Sequence, residues 1–232
     1  MKGAFFMSAL SSKLNDKVKR MVVLALFCAL AYVTMCVLRI KVSFLTFDAK
    51  DAVTAIAGLA FGPLASLVIS FIVAFLELIT VSETGLYGLI MNFTSSVAFS
   101  CTVALIYKYK KNLLGAIISL VSAVFAVVGV MMCMNLLVTP FFMKTDVATV
   151  VALIPKLLLP FNLTKAVLNA SLVLVLYKPV VSVLRSAHVL PKRETEGKRV
   201  SSLLVILIGA LLVAASVAIF FWVLGGRFEL HK

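Results

Sequence analysis

Seven apolar segments run through the 232-residue sequence and limit what the chain can fold into. A helix needs about 20 apolar residues to cross the roughly 30 Å hydrocarbon core of a bilayer, and most of the segments reach or approach that length. Backbone groups without hydrogen-bond partners are not tolerated in lipid, so the pattern predicts an all-α integral membrane protein. The segments are residues 21–38, 52–61, 64–80, 86–107, 113–138, 161–184 and 203–224.

Composition supports a membrane location, because 63% of the residues are hydrophobic and only 13% are charged. A soluble domain is closer to half apolar and a quarter charged, so a single water-soluble core could not hold this surplus. The second segment is too short to span alone and ends at Gly62-Pro63. We therefore expect the preceding loop or close protein neighbours to complete it. The first segment continues past a small-x-small pattern at 29–31, which favours a retained anchor over a cleaved signal peptide.

Lysine and arginine residues give the chain a formal net charge of +13 and occur in short clusters between the apolar segments. Nucleic-acid binding would require these residues to share one face, so the charge is better interpreted as a signal of membrane topology. If every segment spans, the clusters at 2–20, 108–111 and 178–199 all lie on one side, which the positive-inside rule assigns to the cytoplasm. We therefore expect a multi-pass protein of the plasma membrane with its N-terminus in the cytoplasm.

Motifs for enzymatic chemistry are missing from the sequence. It contains no GxxxxGK[ST], HExxH or GxSxG pattern, and His188 and His231 fall outside the apolar segments, where we expect them to be solvated. An intramembrane enzyme that uses Asp48, Asp51 and Glu77 with a metal therefore has weak support from the sequence. A transport or binding role is favoured over it. Four cysteines lie in apolar stretches without a CxxC pair, and we interpret them as packing residues: Cys28, Cys36, Cys101 and Cys133.

Polar side chains inside the apolar segments are the main candidates for function, because each costs free energy unless it is paired or faces a polar cavity. Asn162, Lys165 and Asn169 lie within roughly 60° of one helix face. Lys165 either reaches the outer surface through its flexible chain or lies at a cavity, and spacing alone leaves both open. Asn92 and Asn135 either tie helices together or contact a ligand, and helix contact is the more common role for Asn92.

The first external loop mixes aromatic residues with carboxylates and leads straight into the short second segment. Its sequence FLTFDAKD at 44–51 fits a flap that re-enters the mouth of the bundle. It fits equally well a solvated connection with Asp51 near a helix N-terminus. Glu77 ends the third segment near the outer surface, where solvation at the membrane interface is the usual outcome.

Several of these blocks resemble a known family, the substrate-binding S components of energy-coupling factor (ECF) vitamin transporters, and most of all its riboflavin-specific members. The blocks are FLTFDAKD at 44–51, Gly62-Pro63, GLYGLIMNF at 85–93 and PFNLTK at 160–165. The resemblance covers roughly 18–184 and implies a six-helix bundle, to which 203–224 adds a seventh helix. We therefore divide the chain into a cytoplasmic N-terminus (1–20), a substrate-binding membrane domain (21–184), a charged cytoplasmic linker (185–200) and an extra transmembrane helix with its tail (201–232).

The resemblance implies a riboflavin-binding subunit that docks on a transmembrane coupling protein carrying two ABC-type ATPases, with riboflavin as transported ligand and no resident cofactor or metal. Ala25 and Ala29 resemble the small-residue pair by which S components dock. A relative specific for thiamine, folate or biotin remains an alternative, as does a structural subunit. The residues implied at the ligand site are Phe44, Leu45, Thr46, Asp48, Asp51, Glu77, Met91, Asn92, Asn135, Asn162, Lys165 and Asn169.

Riboflavin combines a flat apolar tricycle, one polar ring edge and a ribityl chain of hydroxyls. An asparagine both donates and accepts, so Asn162 and Asn135 are the candidates for the ring edge. Lys165 would donate to a ring acceptor or a hydroxyl, and Asp48 or Asp51 would accept from the ribityl hydroxyls. The ring would be covered by Phe44, Leu45 and Met91.

Overall fold

The computed structural model describes residues 2–187, 189–190 and 202–223, with side chains for residues 17–187, 189–190 and 207–219. The predictions for His188, His231 and most of the linker lie outside these residues. Eight α-helices, one π-helical turn and two short strands make up the described part. They are α1 (Lys2–Val37), β1 (Ile40–Val42), β2 (Leu45–Phe47), α2 (Lys50–Phe61), α3 (Pro63–Thr80), α4 (Gly85–Tyr109), α5 (Leu113–Met143), α6 (Val147–Leu153), the π-helix Ile154–Leu158, α7 (Leu159–Ser186) and α8 (Ser202–Val223).

The helices confirm a multi-pass membrane architecture. Within the described residues, five helical stretches are long and apolar enough to cross a membrane, and the described part of the last helix, Leu207–Ile219, is apolar but shorter. Large apolar side chains cover the outside of the bundle, as they do in a protein surrounded by lipid. Two of the four free cysteines lie on this outer surface, so packing inside the bundle is wrong for them: Cys36 and Cys133.

The loop after α1 forms a β-hairpin that the sequence analysis did not predict. Strands β1 and β2 pair antiparallel, with Ile40 opposite Phe47 and Val42 opposite Leu45. These four apolar residues share one face of the hairpin, because side chains alternate along a strand. That face packs against α7, so the hairpin lies on the bundle.

Helix α2 is too short to cross a bilayer by itself, and protein surrounds it. Every residue from 50 to 58 is buried, and the helix packs against α1, α3, α4 and α7. The expectation that close neighbours complete this segment is confirmed. Most of these buried residues are small, which lets four helices approach one another in lipid, where small side chains favour close packing.

Gly58 is expected to tolerate no large side chain. A Cβ there would lie against Ser66 Oγ, 3.0 Å from Ala104 Cβ and 3.4 Å from the carbonyl oxygen of Ser100. Gly58→Leu should lower the stability of the bundle by about 3 kcal/mol, the upper range for overpacking. Gly129→Leu is the matched control, because no atom lies within 4 Å of its Cβ position. Equal thermal unfolding temperatures of the two variants would contradict this account of α2.

The helical stretch that contains α7 begins earlier than the sequence predicted. Helical structure is continuous from Val147 to Ser186, although the apolar segment was placed at 161–184. Pro155 and Pro160 both lie within this stretch, and proline removes a backbone donor and usually ends a helix. Here a π-helical turn, Ile154–Leu158, absorbs the change in hydrogen bonding and α7 continues without interruption.

Candidate ligand-binding site

An open cavity of about 70 Å³ lies between the hairpin, α4, α5 and α7. Sites for small organic molecules are mostly apolar, with a few placed polar groups. The walls of this cavity have that character. Two aromatic rings in the lining contact a third: the ring centroid of Phe142 lies 6.1 Å from that of Phe44 and 6.0 Å from that of Tyr87.

Seven of the residues predicted for the ligand site line this cavity: Phe44, Leu45, Thr46, Met91, Asn92, Asn162 and Lys165. A smaller cavity of about 10 Å³ adjoins it and shares Asn162 and Lys165 in its wall. Asp51 and Asn169 line only the smaller cavity. The three other predicted residues line neither of them: Asp48, Glu77 and Asn135.

Helices α4 and α5 supply lining residues that the sequence analysis missed. Tyr87, Met91 and Ser95 recur every four residues and therefore share one face of α4. That spacing, followed from Met91 in both directions, was the available signal. Helix α5 is apolar along most of its length and gave no comparable signal for its lining residues, which are Met131, Val138, Thr139 and Phe142.

Lys165 is buried and joins α7 to the end of the hairpin. Its Nζ donates to Asp48 Oδ2 over 2.8 Å and to the carbonyl oxygen of Thr46 over 3.3 Å, and the residue is 6% exposed. The alternative in which this ammonium reaches the outer surface is therefore wrong. The ammonium lies beside the cavity and against an acidic partner.

A second buried ion pair joins α2 to α3. Lys50 Nζ lies 2.5 Å from Glu77 Oε2 and 3.9 Å from Asp48 Oδ2, and the three residues are almost fully buried. Solvation of Glu77 at the interface is therefore wrong, because α2 packs on α3 and brings Lys50 to it. The charges alternate in the order Glu77, Lys50, Asp48, Lys165. Each buried ammonium has an anion next to it, which offsets the free energy of removing it from water.

Groups from outside α2 cap its N-terminus. The backbone N–H of Lys50 donates to Asp48 Oδ1 over 3.2 Å, and that of Ala52 donates to Asn169 Oδ1 over 2.8 Å. Asn169 Nδ2 donates in turn to the carbonyl oxygen of Asp48 over 3.1 Å. The first N–H groups of a helix have no partner within the helix, so a buried helix start needs such contacts.

The carboxylates of the 44–51 loop are inside the bundle. Asp48 and Asp51 are 1% and 3% exposed, so the loop is the re-entrant flap and not the solvated connection. Asp51 accepts a hydrogen bond from the Ser96 hydroxyl of α4. Asp48 and Glu77 are held by lysines. Among the described residues, no three His, Cys, Asp or Glu side chains form a group that could hold a metal ion.

Asn135 and Asn162 differ in their hydrogen bonds and in their position relative to the cavities. Asn135 is fully buried, with its Nδ2 donating to the Met131 carbonyl over 2.7 Å and its Oδ1 accepting from the Thr139 hydroxyl over 2.9 Å. Both ends of this carboxamide are thus hydrogen-bonded within α5. Thr139 lines the cavity, whereas Asn135 does not. Asn162 Nδ2 donates to the Leu158 carbonyl over 2.8 Å while the side chain lines both cavities.

A helical membrane bundle with an open, mostly apolar cavity defines a membrane protein that binds a small molecule. A family model described as "ECF transporter, substrate-specific component" matches residues 19–177. The chain therefore belongs to the family of ECF transporter substrate-specific components, the S components. Helix α8 lies beyond the matched residues.

Relatives of known name agree with this assignment. The chain is 25% identical over 184 residues to "Riboflavin transporter RibU" of Staphylococcus aureus (strain TCH60), a match that covers 75% of this chain and 96% of that protein. It is 28% identical over 190 residues to "Riboflavin transporter FmnP" of Bacillus subtilis (strain 168), covering 75% of this chain and 99% of that protein.

A solved structure shares the fold. It is described as "Structure and mechanism of the S component of a bacterial ECF transporter" and superimposes with a TM-score of 0.63 at 23% sequence identity. The match covers 73% of this chain and 99% of that chain. The predicted S-component bundle with a further C-terminal helix is confirmed.

Proposed function

We propose that this chain is the riboflavin-binding subunit of an ECF-type transporter and has no catalytic activity of its own. It lies in the plasma membrane with its N-terminus in the cytoplasm and takes up the vitamin from outside. The observation that carries the proposal is the cavity whose wall holds Asn162 and Lys165 among aromatic and apolar side chains. Two relatives named as riboflavin transporters support this ligand over thiamine, folate or biotin.

The lining matches the chemistry of riboflavin. The tricycle is flat and apolar, which suits a wall containing Phe44, Tyr87 and Met91. Its polar edge carries both acceptors and an N–H, which suits the carboxamide of Asn162, while the ammonium of Lys165 supplies a donor to a ring or ribityl oxygen.

The remaining predicted residues receive different roles in the proposal. Asp48 and Glu77 hold the two lysines in place, and Asn135 orients the Thr139 hydroxyl, so we assign them to positioning and not to ligand contact. Asp51 and Asn169 stay candidates for contact with the ribityl chain through the smaller cavity.

Asn162→Ala is expected to weaken riboflavin binding about 10- to 30-fold, because two hydrogen bonds at about 1 kcal/mol each are lost in a site that water leaves on binding. Leu163→Ala is the matched control, since this neighbour on α7 is 43% exposed on the outer surface. Titration of the purified proteins with riboflavin, followed by quenching of flavin fluorescence, measures both. An unchanged affinity of the Asn162 variant would contradict its assigned role.

The coupling partners are proposed from the family and from the surface of α1. Transport against a gradient needs an energy source, so we propose docking on a transmembrane coupling protein that carries two ABC-type ATPases. Ala25 and Ala29 are both exposed and lie one turn apart on α1, where small side chains let another helix approach closely.

Ala25→Leu with Ala29→Leu is expected to lower ATP-driven riboflavin uptake about tenfold in vesicles that also contain the coupling module, because overpacking at a helix contact costs about 1–3 kcal/mol. Riboflavin binding to the variant should be unchanged. Leu30→Val, at a position 54% exposed and about 100° around the same helix from Ala29, is the control. Concentrative uptake by vesicles containing only this chain, without an ion gradient, would contradict the need for partners.

A further inference from the structure

A helix outside the family match packs along α7. In its described part, α8 turns Gly209, Val213 and Ser216 to one face, because their spacings of 4 and 3 residues correspond to one side of a helix. Gly209 and Ser216 are buried, whereas Leu211 on the opposite face is 72% exposed. Helix α8 therefore has one face committed to the bundle.

Gly209 allows a close approach between α8 and α7. A Cβ at this position would lie 2.5 Å from Val175 Cγ2 and 3.4 Å from the carbonyl oxygen of Ser171. Lipid tails are as apolar as leucine, so helices associate in a membrane through van der Waals contact, which small residues at the interface permit. The missing side chain of Gly209 thus sets how closely α8 lies on α7.

One turn further along, Val213 packs next to residues of the candidate site without lining the cavity. It packs against a buried cluster formed by Phe47, Phe161 and Leu168. Phe47 ends β2, Phe161 lines the cavity, and their rings meet edge to face with centroids 6.1 Å apart. This pair of rings is one of the apolar contacts between the hairpin and α7, and Val213 of α8 packs against the cluster that contains it.

We propose that α8 holds the hairpin against the first turns of α7, with Val213 as a positioning residue that slows the escape of bound ligand. The proposal rests on the proposed function, in which the hairpin covers riboflavin in the cavity. Escape requires the hairpin to separate from Phe161. Packing of Val213 on the cluster opposes that separation although Val213 is not in the cavity wall.

The test uses the full chain in lipid nanodiscs. Val213→Ala removes two methyl groups from the contact and is expected to raise the riboflavin dissociation rate about three- to tenfold, with little change in the association rate. Gly209→Leu, which separates α8 from α7, should give the same acceleration. Val213→Ile should keep release slow, and Leu211→Ala on the exposed face is the matched control, with release as in the parent.

Amide hydrogen exchange of residues 40–47 in the ligand-free protein gives a second readout that does not depend on riboflavin. Exchange should be faster in the Val213→Ala and Gly209→Leu variants than in the parent and the Leu211→Ala control. Faster hairpin exchange in a chain that binds no riboflavin would support the role of α8 while refuting the proposed ligand. Release and exchange that are the same in all variants would overturn the role of α8.

Discussion

Replacing Lys165 by methionine is expected to weaken riboflavin binding by a factor of about 100 to 1,000. The change keeps the length of the side chain but removes the ammonium, and with it a charged donor at the cavity, worth about 1.5–3 kcal/mol. It also leaves Asp48 buried with only Lys50, at 3.9 Å, as a cationic neighbour. Leaving one member of a buried pair alone costs about 3–5 kcal/mol, part of which will appear as a loosened hairpin and weaker binding.

A double variant separates the two contributions. Asp48→Asn combined with Lys165→Met removes both charges, so the thermal unfolding temperature should recover compared with Lys165→Met alone. Riboflavin affinity should stay low, because the donor at the cavity is still missing. Titration and thermal unfolding of the two single variants and the double variant complete the cycle. Parent-like affinity in the double variant would mean that Lys165 only balances Asp48 and does not contact the ligand.

Replacing Glu77 by glutamine is expected to destabilise the bundle by about 3–5 kcal/mol, because the ammonium of Lys50 loses its partner at 2.5 Å in a place that water does not reach. The anion left within 4.0 Å of Lys50 Nζ is Asp48, which already accepts from Lys165. Thermal unfolding of the ligand-free protein, followed by circular dichroism, measures the effect.

Two further variants show whether burial is the cause. Lys50→Met combined with Glu77→Leu should restore most of the stability, since apolar side chains replace a buried ion pair with little or no loss. Glu83→Gln is the control at the exposed pair with Lys41, where Glu83 is 62% exposed and less than about 1 kcal/mol is expected. Equal unfolding temperatures of the Glu77 and Glu83 variants would contradict the claim that the buried ion pair of Lys50 and Glu77 stabilises the bundle.

The bundle could be predicted from apolar segment length, and the short second segment with its Gly62-Pro63 turn correctly indicated a helix enclosed by protein. The pairing and burial of the charged residues could not be predicted in this way. Pairing of Lys50 with Glu77 joins residues 27 positions apart and depends on how α2 packs on α3. The burial of Lys165 depends on its contact with Asp48, which joins residues 117 positions apart.

The candidate site was predicted in part for a related reason. Local sequence blocks identified Phe44, Asn162 and Lys165, and all three line the cavity. The blocks also included Asp48, whose carboxylate accepts hydrogen bonds from Lys165 and from the backbone N–H of Lys50 at the start of α2. Sequence shows which residue types a site contains, but only packing decides which of them contact a ligand and which position their neighbours.

The central claim is that the cavity beside Lys165 holds riboflavin, and equilibrium titration of the purified full chain tests it most directly. Riboflavin is added to the protein in detergent, and quenching of its fluorescence is followed with thiamine, folate and biotin as competitors. We predict saturable quenching at one riboflavin per chain that none of the three competitors reverses. Quenching that does not saturate, or displacement of riboflavin by one of those vitamins, would contradict the assignment.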